Sequence, residues 1–392
     1  MLNERMLGLG KQPNPIRVQY AYGLKRKAEI GEENVFDLSI GNPSIPAPAA
    51  VRERIAELLE EPADQLHAYT MAAGLESARQ AVADNLRRRF GIEATAGQVY
   101  LTAGATAALY ITTAAITHPG DEVIVNAPYF TEYKVMIESA QCTCVEVPMR
   151  PTDFQLDIDA LRAAINEKTA AVVINSPNNP VGCSYTEENI KALAAMLEEK
   201  EAELGHQIFL ISDEPYREIT YGAEVPFTAN YYKDTIVCYS WAKSLSLPGE
   251  RIGYVYSSDR MDNAADVAAA VGGAGRALGF ICAPVLMQRV IETCIDCPTD
   301  VEAYAENRAI LTGIMDDLGY EYIQPDGAFY LWVKALEPDS QAFCDKAREH
   351  DLLLVNSDCF GAPGWARAGY CVSPDTIRNS RKAWAALKAD YE

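Results

Sequence analysis

The chain has 392 residues, 49% of them hydrophobic and 23% charged, so it carries enough apolar material for two domains or one large α/β body with a small one attached, and too much for a disordered chain. Thirty-four Lys and Arg stand against 55 Asp and Glu, a formal net charge of −21 that phosphate backbones and anionic lipid surfaces repel, so no nucleic-acid or membrane partner is expected. An anionic small ligand would need Arg, Lys or backbone N–H groups placed locally against that field.

At the N-terminus, MLNERMLGLGKQPNP has neither the apolar stretch nor the small-residue cleavage site of a secretory signal. A strand-like run follows over 36–44 (FDLSIGNPS), then helical patterns near 51–60 and 74–90. The uncharged stretch from Ala94 to Gly120 contains six Thr, three Gly and a Pro, which favours a buried helix between two loops over a membrane span. From about Gly104 to Ser257, short β-branched runs at 121–128, 142–148, 170–177, 207–215, 235–240 and 252–258 alternate with helical patterns. Near-continuous apolar strands between amphipathic helices predict a largely parallel sheet covered on both faces. Beyond it come helical patterns near 261–272, 284–295 and 299–318, strands within 320–324 and 327–333, a helix near 339–350, the run LLLV, and a closing helix from Pro374. With no repeat or long linker, the reading is an arm (1–45) joining a small domain, a large α/β domain (46–285) and a small α+β domain (286–392).

Ten Cys spread through a chain this long do not make a disulfide scaffold and fit a reducing, cytoplasmic setting. Cys294 and Cys297 form the only C-x-x-C; without a second pair or a His cluster, two helix-borne thiols are a better reading than zinc. The four His are scattered and give no support to a metal site or a Ser-His-Asp triad.

In a parallel sheet, ligands sit beyond the carboxyl ends of the strands. Those positions hold Asn126-Ala127-Pro128, the run from Asn175 to Pro180, Asp213 to Tyr216, and Ser240 to Lys243. Lys243 lies three residues after a strand-end Ser240 and eight before Arg251, so two cations gather at one crevice. Taken singly, each reads as a surface Lys or a structural Arg; in a chain this acidic the pair fits an anion site. A Lys attacks a carbonyl only as the neutral amine, and Arg251 is placed both to lower its pKa and to bind a phosphate bidentately. Ala105 and Thr106, where a strand turns into a helix, offer unpaired N–H groups for the same phosphate, although such turns are common helix starts. Asp213 at a strand end either caps a turn or meets a cation, and Tyr216 presents a hydroxyl or simply fills core. A Schiff-base Lys beside a phosphate cup and a carboxylate is the set pyridoxal 5′-phosphate requires.

The segment Ser240, Lys243, Arg251, Gly253, Tyr254, the loop Asn178 to Gly182, and Asp213, Glu214, Tyr216 occur in the order found in the class I and II, fold type I, pyridoxal phosphate-dependent aminotransferases. The chain resembles that family, aspartate aminotransferase-like, over essentially its whole length. The resemblance implies a mostly parallel seven-stranded-type sheet sandwiched by helices, with the small α+β domain built from the arm and the C-terminal part. It also implies that Lys243 forms the Schiff base with the cofactor and moves the substrate proton, that Asp213 meets the pyridine nitrogen, and that Asn179 and Tyr216 meet the phenolic oxygen. By the same resemblance Ala105, Thr106, Ser240 and Arg251 hold the phosphate, Phe130 stacks on the ring, Tyr69 reaches the phosphate of the other subunit of a homodimer, and Arg367 and Gly41 contact the substrate. The segment around Arg367 departs from the family's usual apolar-Ser pair, with Ala368 and Gly369 following it. Ping-pong transfer between an L-amino acid, aspartate or a broad set, and a 2-oxo acid such as 2-oxoglutarate is the implied reaction. Arg276 is a candidate reader of a dicarboxylate side chain from a partner subunit, against the plainer reading of a helix-surface Arg.

Three other readings compete with it. A C–S β-lyase uses the same Lys, Asp and Arg set and differs in releasing pyruvate and ammonia. A ligand-sensing module of a transcription regulator needs a DNA-binding domain, and about 35 residues before Phe36 are too few for one. A dinucleotide-binding oxidoreductase would rest on the Gly-rich stretch 272–279, whose spacing is not G-x-G-x-x-G and which follows an Ala-rich helical pattern.

Overall fold

The computed structural model describes residues 2–12 and 14–392. The N-terminal arm contains α1 (Glu4–Lys11) and α2 (Pro15–Ile30), neither of which the sequence reading anticipated, and the two-residue strand β1 (Phe36–Asp37). Asn3 and Asn14 cap these helices through their side chains, and Pro15 opens α2 where a missing N–H costs nothing. Next come α3 (Ala49–Leu59), the single turn α4 (Ala63–Leu66) and α5 (Glu76–Phe90).

The middle of the chain alternates β2 (Val99–Thr102), α6 (Ala105–Ile116), β3 (Glu122–Ala127), α7 (Glu132–Ser139), β4 (Thr143–Pro148), α8 (Ile158–Ala164), β5 (Thr169–Asn175), α9 (Glu187–Leu204) and β6 (Phe209–Asp213). Then β7 (Thr235–Ser240), the four-residue helix α10 (Trp241–Ser244) and β8 (Gly253–Ser257) complete a seven-stranded sheet of order β2-β8-β7-β6-β5-β3-β4. All neighbours pair in parallel except β8, which runs antiparallel to both β2 and β7. Along β5, Ala171 and Val173 enter one core and Val172 and Ile174 the other, so both faces are covered and the strand reads as unbroken apolar sequence.

The remaining elements are α11 (Ala264–Leu278), α12 (Val285–Cys294), α13 (Val301–Leu318), β9 (Tyr322–Ile323), β10 (Tyr330–Lys334), α14 (Ser340–Glu349), β11 (Leu352–Leu353), β12 (Val355–Asn356), β13 (Trp365–Gly369) and α15 (Pro374–Ala389). A four-stranded antiparallel sheet, β12-β13-β10-β9, packs with α13 and α15 around Phe329, Trp384 and Leu311. Met287, Val290 and Ile291 of α12 pack in the same cluster as α3 and α5, so this helix rides on the large sheet.

The structure corrects some sequence expectations and bears out others. The strand expected over 36–44 is only two residues long, pairing with β11. The carbonyls of the following residues serve side chains and another strand: Leu38 O accepts from Gly369 N, Ser39 O from Arg367 and Gly41 O from Lys243. The run LLLV divides between β11 and β12, which belong to different sheets. The glycines 272–275 lie inside α11, where Gly275 sits against the Tyr100 ring and a Cβ would come within 2.4 Å of its hydroxyl, so close helix-to-sheet packing accounts for the Gly. Cys297 lies beyond the end of α12, leaving only Cys294 of that pair on the helix, and all ten Cys are free thiols. The stretch 94–120 contains the twelve-residue α6, and no described helix is long and apolar enough to cross a membrane.

Candidate active site

The strand register brings the chemistry together. Asn175 of β5 lies opposite Asp213 of β6, which lies opposite Cys238 of β7, while Ser240 and Thr102 both face Gly253 of β8. Of these, Asn175, Asp213 and Ser240 line a cavity of about 630 Å³. Gly41 and Arg367 line it from the arm and the small sheet, Phe130 and Lys243 line it too, and Ala105, Thr106 and Arg251 come together beside the Gly104 turn. Asn179 and Tyr216 also line it. Tyr69 does not: it is 92% exposed in the loop between α4 and α5. Arg276 is exposed in the last turn of α11 and is also outside this cavity.

Lys243 sits on α10, whose start is capped by the Ser240 hydroxyl accepting from Ala242 N at 3.1 Å. Ser240 therefore aims the helix that carries the Lys as well as lining the cavity. The Lys243 ammonium donates to Gly41 O at 2.6 Å, and burial lowers its pKa to about 8. Burial is the largest cause; Arg367 and Arg251 also push it down, while Cys371 opposes them. The influence expected of Arg251 is present but secondary.

Asp213 is buried, and its pKa is raised to about 7, first by loss of solvent. One carboxylate oxygen accepts from the Tyr133 hydroxyl at 2.5 Å; the other, Oδ1, is buried with no partner among the described residues. A buried acceptor without a partner costs free energy unless a donor arrives, so Oδ1 is a waiting acceptor for a cation or N–H.

Two guanidinium groups stand near it. Arg251 is exposed to the cavity and lies over Gly104, whose φ of +84° begins α6. A Cβ there would come within 2.7 Å of Arg251 Nη2. Because the first helical bond runs from Ala108 N to Gly104 O, the N–H groups of Ala105 and Thr106 have no helical acceptor. On the other side, Arg367 is 1% exposed, donating to Asn179 Oδ1 at 2.9 Å and Ser39 O at 2.6 Å, with Tyr330 4.5 Å beneath the guanidinium. A buried guanidinium with only neutral partners suits a carboxylate.

Sequence reasoning missed Tyr133, Tyr330 and the α2 residues at the rim. Tyr133 stands one turn after Phe130, edge to face with it at 5.7 Å, and Tyr330 donates to or accepts from Tyr216 at 2.9 Å. Gly41 is required by Tyr330, whose hydroxyl would lie 1.9 Å from a Cβ. Asn175 was visible as a strand-end polar residue but had no role; its amide donates to Asp213 O at 2.8 Å and its oxygen accepts from Asn179 N at 2.7 Å.

A crossover α/β sheet with a small antiparallel sheet, and a cavity lined by one Lys and by Arg17, Arg251 and Arg367, match an aminotransferase of fold type I. Residues 33–383 match the family described as aminotransferase class I and II, and the chain belongs to it. It is similar to a crystallised aminotransferase from Eubacterium rectale, with 50% identity and a TM-score of 0.97 over 100% of this chain and 99% of that one. Its similarity to the aspartate/prephenate aminotransferase of Thermus thermophilus is 28% identity over 97% of this chain and 98% of that protein. The aspartate aminotransferase of the same organism, solved with maleate, has a TM-score of 0.89 at 27% identity over 99% of each chain.

Proposed function

We propose that the cavity holds pyridoxal 5′-phosphate and moves an amino group from an L-amino acid, with aspartate foremost, to a 2-oxo acid such as 2-oxoglutarate. The observation that carries this reading is the trio of half-buried Lys243, unpartnered Asp213 Oδ1 and Arg251 over the Gly104 turn, which matches an aldehyde, a ring nitrogen and a phosphate on one molecule. When bound, the cofactor supplies the electron sink that makes loss of the substrate Cα proton feasible. Lys243 would hold it through its amine, Arg251 with the Ala105 and Thr106 amides would hold its phosphate, and Phe130 would cover its face. Asp213 would meet the ring N–H through Oδ1, and that partner would favour its carboxylate form. Tyr216 and Asn179 have polar groups directed into the cavity for its phenolic oxygen.

The chain's own residues account for the rest. Arg367, held by Asn179 and Ser39, receives the α-carboxylate and sets the substrate's orientation. Lys243 Nζ, its pKa lowered to about 8 by burial, has a suitable strength for taking the substrate Cα proton near neutral pH and holding it for return. Donor and acceptor use the same Arg367, so they bind in turn and the kinetics are ping-pong. The relatives named for aspartate support the choice of donor.

A homodimer is part of this reading. Tyr69 and Met71 are exposed beside Leu278, Phe280 and Ile281, the two segments being joined by Cys282 N to Ala72 O at 3.1 Å. An apolar patch with an exposed Tyr suits a second copy. Ten free thiols support a reducing, cytoplasmic setting.

The test is the absorbance of purified protein with added pyridoxal phosphate, titrated with single amino acids and then 2-oxo acids. Wild type should turn yellow, bleach with aspartate and recover with 2-oxoglutarate, and Lys243→Ala should lose at least about three orders of magnitude in turnover. Bleaching that releases pyruvate and ammonia would move the assignment to a C–S lyase, and a wild type that takes up no cofactor would refute it.

A further inference from the structure

Four cations border the cavity: Arg17, Lys243, Arg251 and Arg367. Three are committed by geometry. Lys243 donates to Gly41 O, Arg251 to Pro248 O beside the Gly104 turn, and Arg367 to Asn179 and Ser39 in a buried cleft. Arg17 differs: it is exposed to the cavity, and among the described residues its guanidinium has neither an ion-pair nor a hydrogen-bond partner. Among the described residues no ion pair joins it to the acids of the cavity: Glu132 accepts from Asn14 at 2.8 Å and Asp213 from Tyr133.

The wall that presents Arg17 is fixed. Asn14, Ile16, Arg17 and Tyr20 of the α2 segment face the cavity together. Asn14 ties the helix start to Thr131 at 2.9 Å and to Glu132, next to Phe130, while Gln19, buried, donates to Leu354 O at 3.0 Å. Further along, Arg26 pairs with Asp351 at 2.7 Å. The cation is thus held at the rim by contacts on both sides of the cleft, in a chain whose overall charge of −21 makes an unpaired Arg in a cavity conspicuous.

We infer that Arg17 is the specificity-determining residue that pairs with the side-chain carboxylate of a dicarboxylic substrate. This rests on the transaminase reading above. With Arg367 taken by the α-carboxylate and Arg251 by a phosphate, a third anion in this cavity can come only from the substrate's own side chain. A guanidinium receives it bidentately, and donor and acceptor are read by the same group because both bear the distal carboxylate. Selection is then set from the N-terminal arm, outside the strand-end loops that carry the chemistry.

The holoenzyme with Arg17→Gln, Arg17→Lys and, for comparison, Arg276→Gln tests this. Arg17→Gln should raise KM for aspartate and for 2-oxoglutarate by at least about tenfold and leave kcat/KM for alanine and pyruvate unchanged, with Arg17→Lys recovering part of the loss. Calorimetric binding of succinate should weaken to the same degree while propionate binding does not change, a readout independent of turnover. Equal losses for mono- and dicarboxylates would show a merely structural residue, and an effect confined to Arg276→Gln would move the contact to that residue; either overturns the assignment. A wild type that transaminates alanine but not aspartate would overturn it and leave the aminotransferase reading standing, whereas succinate binding without any transamination would refute that reading alone.

Discussion

Asp213 shows how one residue's environment sets its chemistry. Its carboxyl titrates near pH 7 because burial disfavours the charged form more than the Tyr133 hydroxyl favours it. A carboxyl whose folded pKa is raised adds stability in full below its ordinary value near 3.8 and loses that contribution as pH climbs through about 7. The thermal midpoint of cofactor-stripped protein should therefore fall between about pH 4 and 7, and adding cofactor should restore it by giving Oδ1 a cationic partner. Tyr133→Phe removes the one hydrogen bond that favours the carboxylate, so calorimetry across pH should find this fall displaced upward. Cofactor affinity should drop about tenfold in the same variant; an unchanged midpoint profile would show that the Tyr133 bond has no influence on Asp213.

At the scale of elements, the site depends on how strands turn into helices. Gly104 has φ +84° at the β2 to α6 turn, a backbone that only Gly takes without strain, and it leaves room for the Arg251 guanidinium. Gly104→Ala both strains the turn and displaces Arg251. The expected outcome is about tenfold weaker retention of pyridoxal phosphate in equilibrium dialysis, with unchanged far-ultraviolet circular dichroism. At the end of β6, Glu214 and Arg217 form a buried pair at 2.5 Å just behind Asp213. That pair holds the turn leading to Tyr216 and leaves Glu214's charge compensated beside the Asp213 carboxyl.

For the whole molecule, the arm, the large sheet and the small sheet meet at one cavity, and the exposed patch of Tyr69, Met71, Phe280 and Ile281 lies on the outside. If that patch seats a second copy, Phe280→Asp should convert the sedimenting species from dimer to monomer at micromolar concentration. An unchanged dimer would place the contact elsewhere. Should Tyr69 also serve a neighbouring phosphate, the monomeric variant will retain less cofactor.

Most of the large sheet was legible because a strand buried on both faces must be apolar throughout and its polar residues collect at the ends. Lys243, Asp213, Asn179 and Arg251 stood out for that reason, being polar groups at the limits of apolar runs. The arm's helices were less visible: α1 leaves Leu2, Met6 and Leu9 exposed nearby, and α2 carries its polar groups in no simple periodic face. Tyr133 and Tyr330 looked like ordinary core aromatics, since a buried hydroxyl is distinguished only by what it touches. By itself the sequence determined the sheet, the family and the Lys at the strand-end crevice, all of which depend on local pattern and spacing. Only the tertiary structure decided that Gly41 O and Ser39 O would leave a strand to hold Lys243 and Arg367, and that Arg17, more than 200 residues from Lys243 in the chain, would share its cavity. Those contacts join segments with no local signal of each other, and only the packing of the arm against both sheets brings them together.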